Sequence, residues 1–325
     1  MMNNESTWHK LSFFISSSNT QNYLYNCYKK LGLAEAEKKS FENCYPFIYY
    51  LEHGKNYYDL SRLSPLSIKP VLLFYGMIQL FKACLLTVDP EYPESTSVLA
   101  HGATTRKRKK QSYEFLQDEV KIQKLGLFTH IGEKMFHMKH LEGEKFTMEM
   151  LLKRIPELVD LFKYSKRVSL FYELEKLNAH TLSIPIEVLD SYHMTKDRLV
   201  DYIENTCHHL QWKYVQSTDE GKYLSFHISH SNWNALSCSP LAYELYKQKY
   251  FLPMERQQMN CFPELLAHYL LMYNLSMISR YETEWWSDLL HSYSTEDYPF
   301  IQQFLSISTE KVPYFIYLYL LQNPY

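Results

Sequence analysis

A chain of 325 residues, 46% hydrophobic and 22% charged, with a formal net charge of -2, has room for one large domain or two average ones, and its composition excludes a disordered chain. Its 8 glycines form neither a GxGxxG run nor a GxxxxGK run ending in Ser or Thr, which excludes dinucleotide-binding and P-loop readings, because backbone can approach a phosphate closely only where glycines allow it. The 29 tyrosines read as half-buried residues, each packing a ring and turning a hydroxyl toward water or a polar partner.

Along the chain, Asn19 or Thr20 caps a helix that runs to Lys30 and stops at Gly32. Pro46 sits in the first turn of a second helix, 47–60. Residues 68–87 are apolar nearly all round, which marks a helix buried on most faces. Gln79 and Lys82 interrupt it, so it falls short of an uninterrupted membrane span and no membrane is expected as a partner. A loop at 89–103 follows, carrying Pro90, Pro93, Ser95, Thr96 and Gly102, of a length that usually serves a purpose.

Beyond the cationic run Arg106, Lys107, Arg108, Lys109 and Lys110, two short strands are expected around Leu125 and Gly126. A helix over 148–162 follows, bent or divided by Pro156. Strand signals dominate 166–250, with a hairpin closed by residues 218–221 and one helix from Thr195 to about Leu210. Pro263 opens a helix over 262–280, and three further helical stretches end at Gln322. The expected fold class is α+β, mainly α, with a helical core built from both chain ends around a central mixed section containing an antiparallel hairpin. The expected parts are 1–162, 163–257 and 258–325, the last packing on the first.

The chemistry-bearing residues divide into a few groups. His101 stands before Gly102 and the cationic run, where it can act as a general acid or base while cations hold a phosphate, or can simply end a loop. Arg106 to Lys110 form the one concentrated charge in a nearly neutral chain; they are either a solvated face or a docking site for an anion, nucleic acid or an acidic protein surface. Arg280, Trp285 and Trp286 offer an aromatic and arginine anchor for a protein partner, the competing reading being a tryptophan pair that closes the core. Lys82, inside the apolar helix, is either a buried functional lysine or one that snorkels to the edge.

No metal site is expected. His137 and His140 would share a helical face near Glu142 and Glu144, but a fourth ligand and the HExxH pattern are missing, and the pairs at 208–209 and 227/230 have no favourable spacing. The six cysteines lack a CxxC pair and read as reduced core thiols. With no GxSxG and no cysteine that has an obvious histidine partner in sequence, no nucleophile and no cofactor are expected, and the balance leans away from an enzyme. The N-terminus lacks a secretory pattern, so a cytosolic location is expected.

The stretches ENCYPFIYYLEHGKNYY, SPLSIKPVLLFYGMIQLFKACLLTVDPEYP, LAHGATTRKRKKQSYEFLQDEVKIQKLGLFTH and LLMYNLSMISRYETEWW resemble the YaaC-like family of Firmicute proteins over nearly the whole chain. The resemblance implies a cytosolic bacterial protein. Genes of this family often lie beside that of IMP dehydrogenase in bacilli, which makes that enzyme the first candidate partner. The order of buried helix, His-Gly loop and later MISRY helix also resembles the HEPN group of helical domains, many of which are metal-independent ribonucleases. That group carries an arginine followed four to six residues later by histidine, and no arginine here does so: after Arg280, positions 285 to 287 are Trp285, Trp286 and Ser287. The expected function is therefore a non-enzymatic protein-binding or regulatory factor. The alternative is a nucleic-acid-binding protein or degenerate HEPN-like ribonuclease using the run at 106–110.

Overall fold

The computed structural model describes residues 4–105, 113–178, 180–207, 211–215, 221–229, 233–260, 262–293 and 295–322. It is α+β and mainly α, and the chain divides into two compact units, one of Met1–Leu151 with His268–Tyr325 and the other of Leu152–Ala267. The cationic run at 106–110 lies outside the described residues.

In the first unit, α1 (Asn4–Leu11) and α2 (Ser17–Lys30) lead into α3 (Ala36–Leu63) and α4 (Lys69–Val88). Helix α2 ends as its sequence dictates, with the Leu33 amide reaching back to the Tyr28 carbonyl. Helix α3 corrects an expectation: Pro46 does not open it but lies inside it. The amide that Pro46 lacks would have bonded the Glu42 carbonyl, and both residues are exposed, so water can serve that carbonyl and the helix continues.

Helix α4 is long and apolar enough to cross a membrane by length and composition alone, yet 67% of its apolar stretch is buried within the protein. Its packing against α3 explains this. Gly76 lies so close to α3 that a Cβ there would stand 2.9 Å from Tyr57 Cβ and 2.9 Å from the Tyr58 ring, and Leu73, Phe74, Met77, Leu80, Phe81 and Cys84 are completely buried. Burial of this kind, at roughly 25 cal/mol per Å² of apolar surface, is the main stabilising contribution of the unit.

Strands β1 (Ala103–Thr105) and β2 (Glu119–Ile122) are joined by β3 (Lys145–Thr147) in an antiparallel sheet of order β1-β2-β3. Of the two strands expected around Leu125 and Gly126, the first is β2, and in place of the second α5 (Leu127–Phe136) runs between β2 and β3. The reason is periodicity: Leu127, Phe128, Ile131 and Met135 are all buried, a helical spacing that a strand cannot place on one face. Helix α6 (Met148–Leu152) follows β3.

The expected helix 148–162 is divided: after α6, Pro156 opens a 3-10 turn at Pro156–Leu158 before α7 (Val159–Lys166), both in the second unit. Strands β4 (Phe171–Glu173), β5 (Glu175–Asn178) and β6 (Thr181–Pro185) precede α8 (Val188–Tyr192) and α9 (Lys196–Thr206). Then come β7 (Trp212–Val215), β8 (Tyr223–Ile228), β9 (Ala242–Glu244) and β10 (Lys249–Pro253). They form two antiparallel sheets, β4-β10-β9 and β5-β6-β8-β7. The expected hairpin is the β7-β8 pair, in register from Trp212 opposite Ile228 to Val215 opposite Ser225.

Helix α10 (Glu264–Tyr281) begins directly after Pro263, whose carbonyl accepts the amides of Leu266 and Ala267. Two helices follow it, α11 (Thr283–Ser292) and α12 (Asp297–Gln322), where three stretches were expected, because Pro313 is accommodated within α12 without breaking it. Within the first unit α12 packs against α1 and α4, so both chain ends share one core.

Candidate functional site

The loop after α4 is held by its backbone. Ala100 O accepts the Leu127 amide at 2.6 Å, His101 O accepts the Phe128 amide at 3.2 Å and the Tyr269 hydroxyl at 2.8 Å, and Gly102 O accepts the Gln123 amide at 2.9 Å. Gly102 has φ +75° and touches Gly126, where a Cβ would stand 2.4 Å from Gly102 Cα. Only two glycines permit this crossing of backbones, and it fixes where His101 can stand.

From that position the His101 ring enters an aromatic enclosure. Ring centres lie 5.1 Å from Phe74, 5.7 Å from Tyr273 and 6.3 Å from Tyr75. Its Nδ1 is buried with no hydrogen-bond partner among the described residues. Burial lowers the His101 pKa, and the positive charges of Arg280 and Lys82 push it the same way. The ring is thus held neutral.

Arg280 comes from the same face of α10 as Tyr269 and Tyr273. Its Nε donates to Ser276 O at 3.0 Å and its Nη1 to the Tyr75 hydroxyl at 3.1 Å, while Nη2 lies 3.2 Å from Met277 Sδ. The guanidinium also stands 5.7 Å from the Tyr75 ring centre and 5.2 Å from that of Tyr281. Lys82 lies two turns beyond Tyr75 on the same face of α4, its Nζ 5.6 Å from the Tyr50 ring centre, and burial lowers its pKa. Neither Lys82 nor Arg280 is paired with a carboxylate among the described residues. Tyr57 stacks on Tyr75 at 6.3 Å and extends the aromatic wall.

The structure therefore brings together three residues that the sequence singles out separately, His101, Arg280 and Lys82, and adds Tyr75 and Tyr273. The missed tyrosines carry a signal in hindsight. Tyr75, Gln79 and Lys82 are incompletely buried positions of a largely apolar helix, at helical spacing.

The other candidates are placed differently. Trp286 is buried and donates from Nε1 to Ser67 O at 2.9 Å, so it is a core residue and offers no free face to a partner. Trp285 is half-buried, its ring 4.6 Å from that of Tyr113, and Arg280 turns to Tyr75. His137 caps α5 in the left-handed region at φ 53°, and His140 has φ 61°, so the two do not share a helical face. No group of His, Cys, Asp and Glu suited to a metal occurs among the described residues. Cys27, Cys44, Cys84, Cys207 and Cys238 are free and buried. Burial raises the thiol pKa of Cys27 to about 11 and pushes those of Cys44 and Cys84 up as well, the opposite of an activated nucleophile.

A second surface feature lies on α3. Phe41, Tyr45 and Tyr49 follow one another at four-residue spacing and are 66%, 53% and 55% exposed, with the Tyr45 and Tyr49 ring centres 6.0 Å apart. Further along the helix Leu60 and Leu63 are exposed as well. An exposed row of large apolar groups along a helix has no role in the core that α3 covers with its opposite face.

The family model described as YaaC-like Protein matches residues 12–320. No match was found among the curated proteins or among the solved structures.

Proposed function

The chain belongs to the YaaC-like family, and we propose that it acts by binding another protein in the cytosol, as a non-enzymatic regulatory factor, with IMP dehydrogenase as the first candidate partner. The observation that carries this reading is the exposed row Phe41, Tyr45 and Tyr49 on α3. Aromatic side chains give large contact area for little lost side-chain freedom and dominate protein interfaces when a partner excludes water from them. The row extends roughly 12 Å along the helix axis, the scale of an interface core. Burial raises the pKa of the Cys27, Cys44 and Cys84 thiols, which makes these three poor nucleophiles and fits the non-enzymatic part of the reading. The choice of IMP dehydrogenase is supported by gene neighbourhood in the family and by no residue of this chain.

Affinity purification of the full chain from its native cell, with wild type and a Tyr45→Ala/Tyr49→Ala variant side by side, tests this reading. The expected result is recovery of IMP dehydrogenase with wild type and its loss with the variant. A parallel ribonuclease assay addresses the alternative, in which the run 106–110 holds RNA beside His101. RNA cleavage that disappears in His101→Ala would replace the binding reading with that one.

A further inference from the structure

We propose that Lys82, His101 and Arg280 form a binding site for a small phosphate-bearing anion, walled by Tyr50, Tyr75 and Tyr273. Two half-buried cations approach one imidazole here, and none of the three has an acidic neighbour among the described residues. Partly desolvated charge is costly unless an opposite charge compensates it, and a fold gains nothing by gathering like charges. The chain as a whole carries a net charge of -2, so acidic residues that could have neutralised the group were not scarce. An anion supplied from outside is the compensation this arrangement lacks.

The donors suit a tetrahedral oxyanion. Arg280 is oriented by Ser276 O, the Tyr75 hydroxyl and Met277 Sδ, which leaves one further N–H on each Nη to reach oxygen atoms of a phosphate. Lys82 supplies a second, mobile positive charge on the same face of α4 as Tyr75. His101 is anchored through its own carbonyl by Tyr269 and Phe128, and on protonation it would present a third charge. Burial first, and then repulsion from Arg280 and Lys82, lowers the His101 pKa; an anion seated between the two cations cancels the second effect, so binding and protonation of His101 reinforce one another. The site is separate from the exposed face of α3, so its failure would leave the protein-binding reading untouched.

The test uses the full chain and sodium phosphate as probe, at ionic strength held constant with chloride, following the His101 ring by NMR and the melting temperature in parallel. Saturable shifts of the His101 resonances, a rise in its pKa and a phosphate-dependent rise in melting temperature are expected. Lys82→Met and Arg280→Gln should each weaken binding about tenfold or more, as expected for loss of a charge-assisted contact. Without phosphate, Lys82→Met should melt at or above the wild-type temperature, because it removes an uncompensated charge; a merely structural lysine would give a lower one. Lys176→Ala, in the other unit, should bind as wild type does. The proposal is overturned if chloride or acetate produces the same saturation as phosphate, if Arg280→Gln binds phosphate normally, or if only an RNA oligonucleotide, and not phosphate, moves the His101 signals.

Discussion

Arg280 and Tyr75 are joined twice over: Nη1 donates to the tyrosine hydroxyl at 3.1 Å, and the guanidinium lies 5.7 Å from the centre of the same ring. The pair ties α10 to α4, two helices far apart in sequence, at the edge of the enclosure that holds His101. Tyr75→Phe keeps the ring and removes the acceptor. It should lower stability by about 1 kcal/mol, the usual net contribution of one hydrogen bond to a charged donor that stays partly hydrated, whereas Tyr75→Ala should cost more through lost packing. Urea melts of the two variants would show the difference.

His101 should make the first unit sensitive to mild acid. Its folded pKa lies below the ordinary histidine value, through burial first and then through Arg280 and Lys82. The rings facing it are Phe74, Tyr75 and Tyr273, none of which offers a negative charge at neutral pH. The unfolded chain therefore binds a proton here before the folded one does. Stability from this group is complete above about pH 6.5 and declines as pH falls from there toward the folded pKa. His101→Gln should flatten that part of the stability profile between pH 7 and 5, measured against wild type at matched salt.

The crossing of Gly102 and Gly126 should tolerate no side chain. Gly126→Ala would drive a Cβ to 2.4 Å from Gly102 Cα, a clash between backbones that no rotamer can relieve. A loss of about 3 kcal/mol or more is expected, within the range of severe backbone and packing defects. Gly143→Ala is the control, since that glycine also has positive φ, +84°, but nothing within 4 Å of its Cβ position. It should cost only about 1 kcal/mol, and equal losses at both sites would contradict the close approach.

Asp297 should be among the most sensitive polar positions. It is buried at the start of α12 and accepts the amides of Phe115 at 3.0 Å and Leu116 at 3.2 Å. Asp297→Ala would leave two buried amides without acceptors, at about 1–3 kcal/mol each. Asp297→Asn, which keeps one acceptor oxygen, should cost about half as much, as thermal melts would show.

Much of this architecture can be read from the residues, and the remainder fails for identifiable reasons. Helix α4 is legible because its apolar positions run all round, and the β7-β8 hairpin because strand-rich runs flank a turn. Helix α5 is missed because a short LGLF sequence looks strand-like until its apolar residues are counted at helical spacing through Met135. Pro46 misleads because proline is read as a boundary, whereas a proline on the wet side of a long helix leaves only a carbonyl for water to satisfy. His101 and Arg280 are each visible as single residues, but their meeting depends on α10 packing near α4, which no local pattern encodes. The row on α3 is hidden in the sequence among tyrosines that are mostly buried or half-buried.

The central claim, that this protein acts through a protein interface on α3, is tested most directly by titrating purified IMP dehydrogenase with the full chain by isothermal calorimetry. Wild type should bind saturably, and Tyr45→Ala/Tyr49→Ala should raise Kd about thirtyfold or more, the effect of losing roughly 2 kcal/mol at an aromatic hot spot, while its melting temperature stays at the wild-type value. Binding of the variant as tight as that of wild type would contradict the claim.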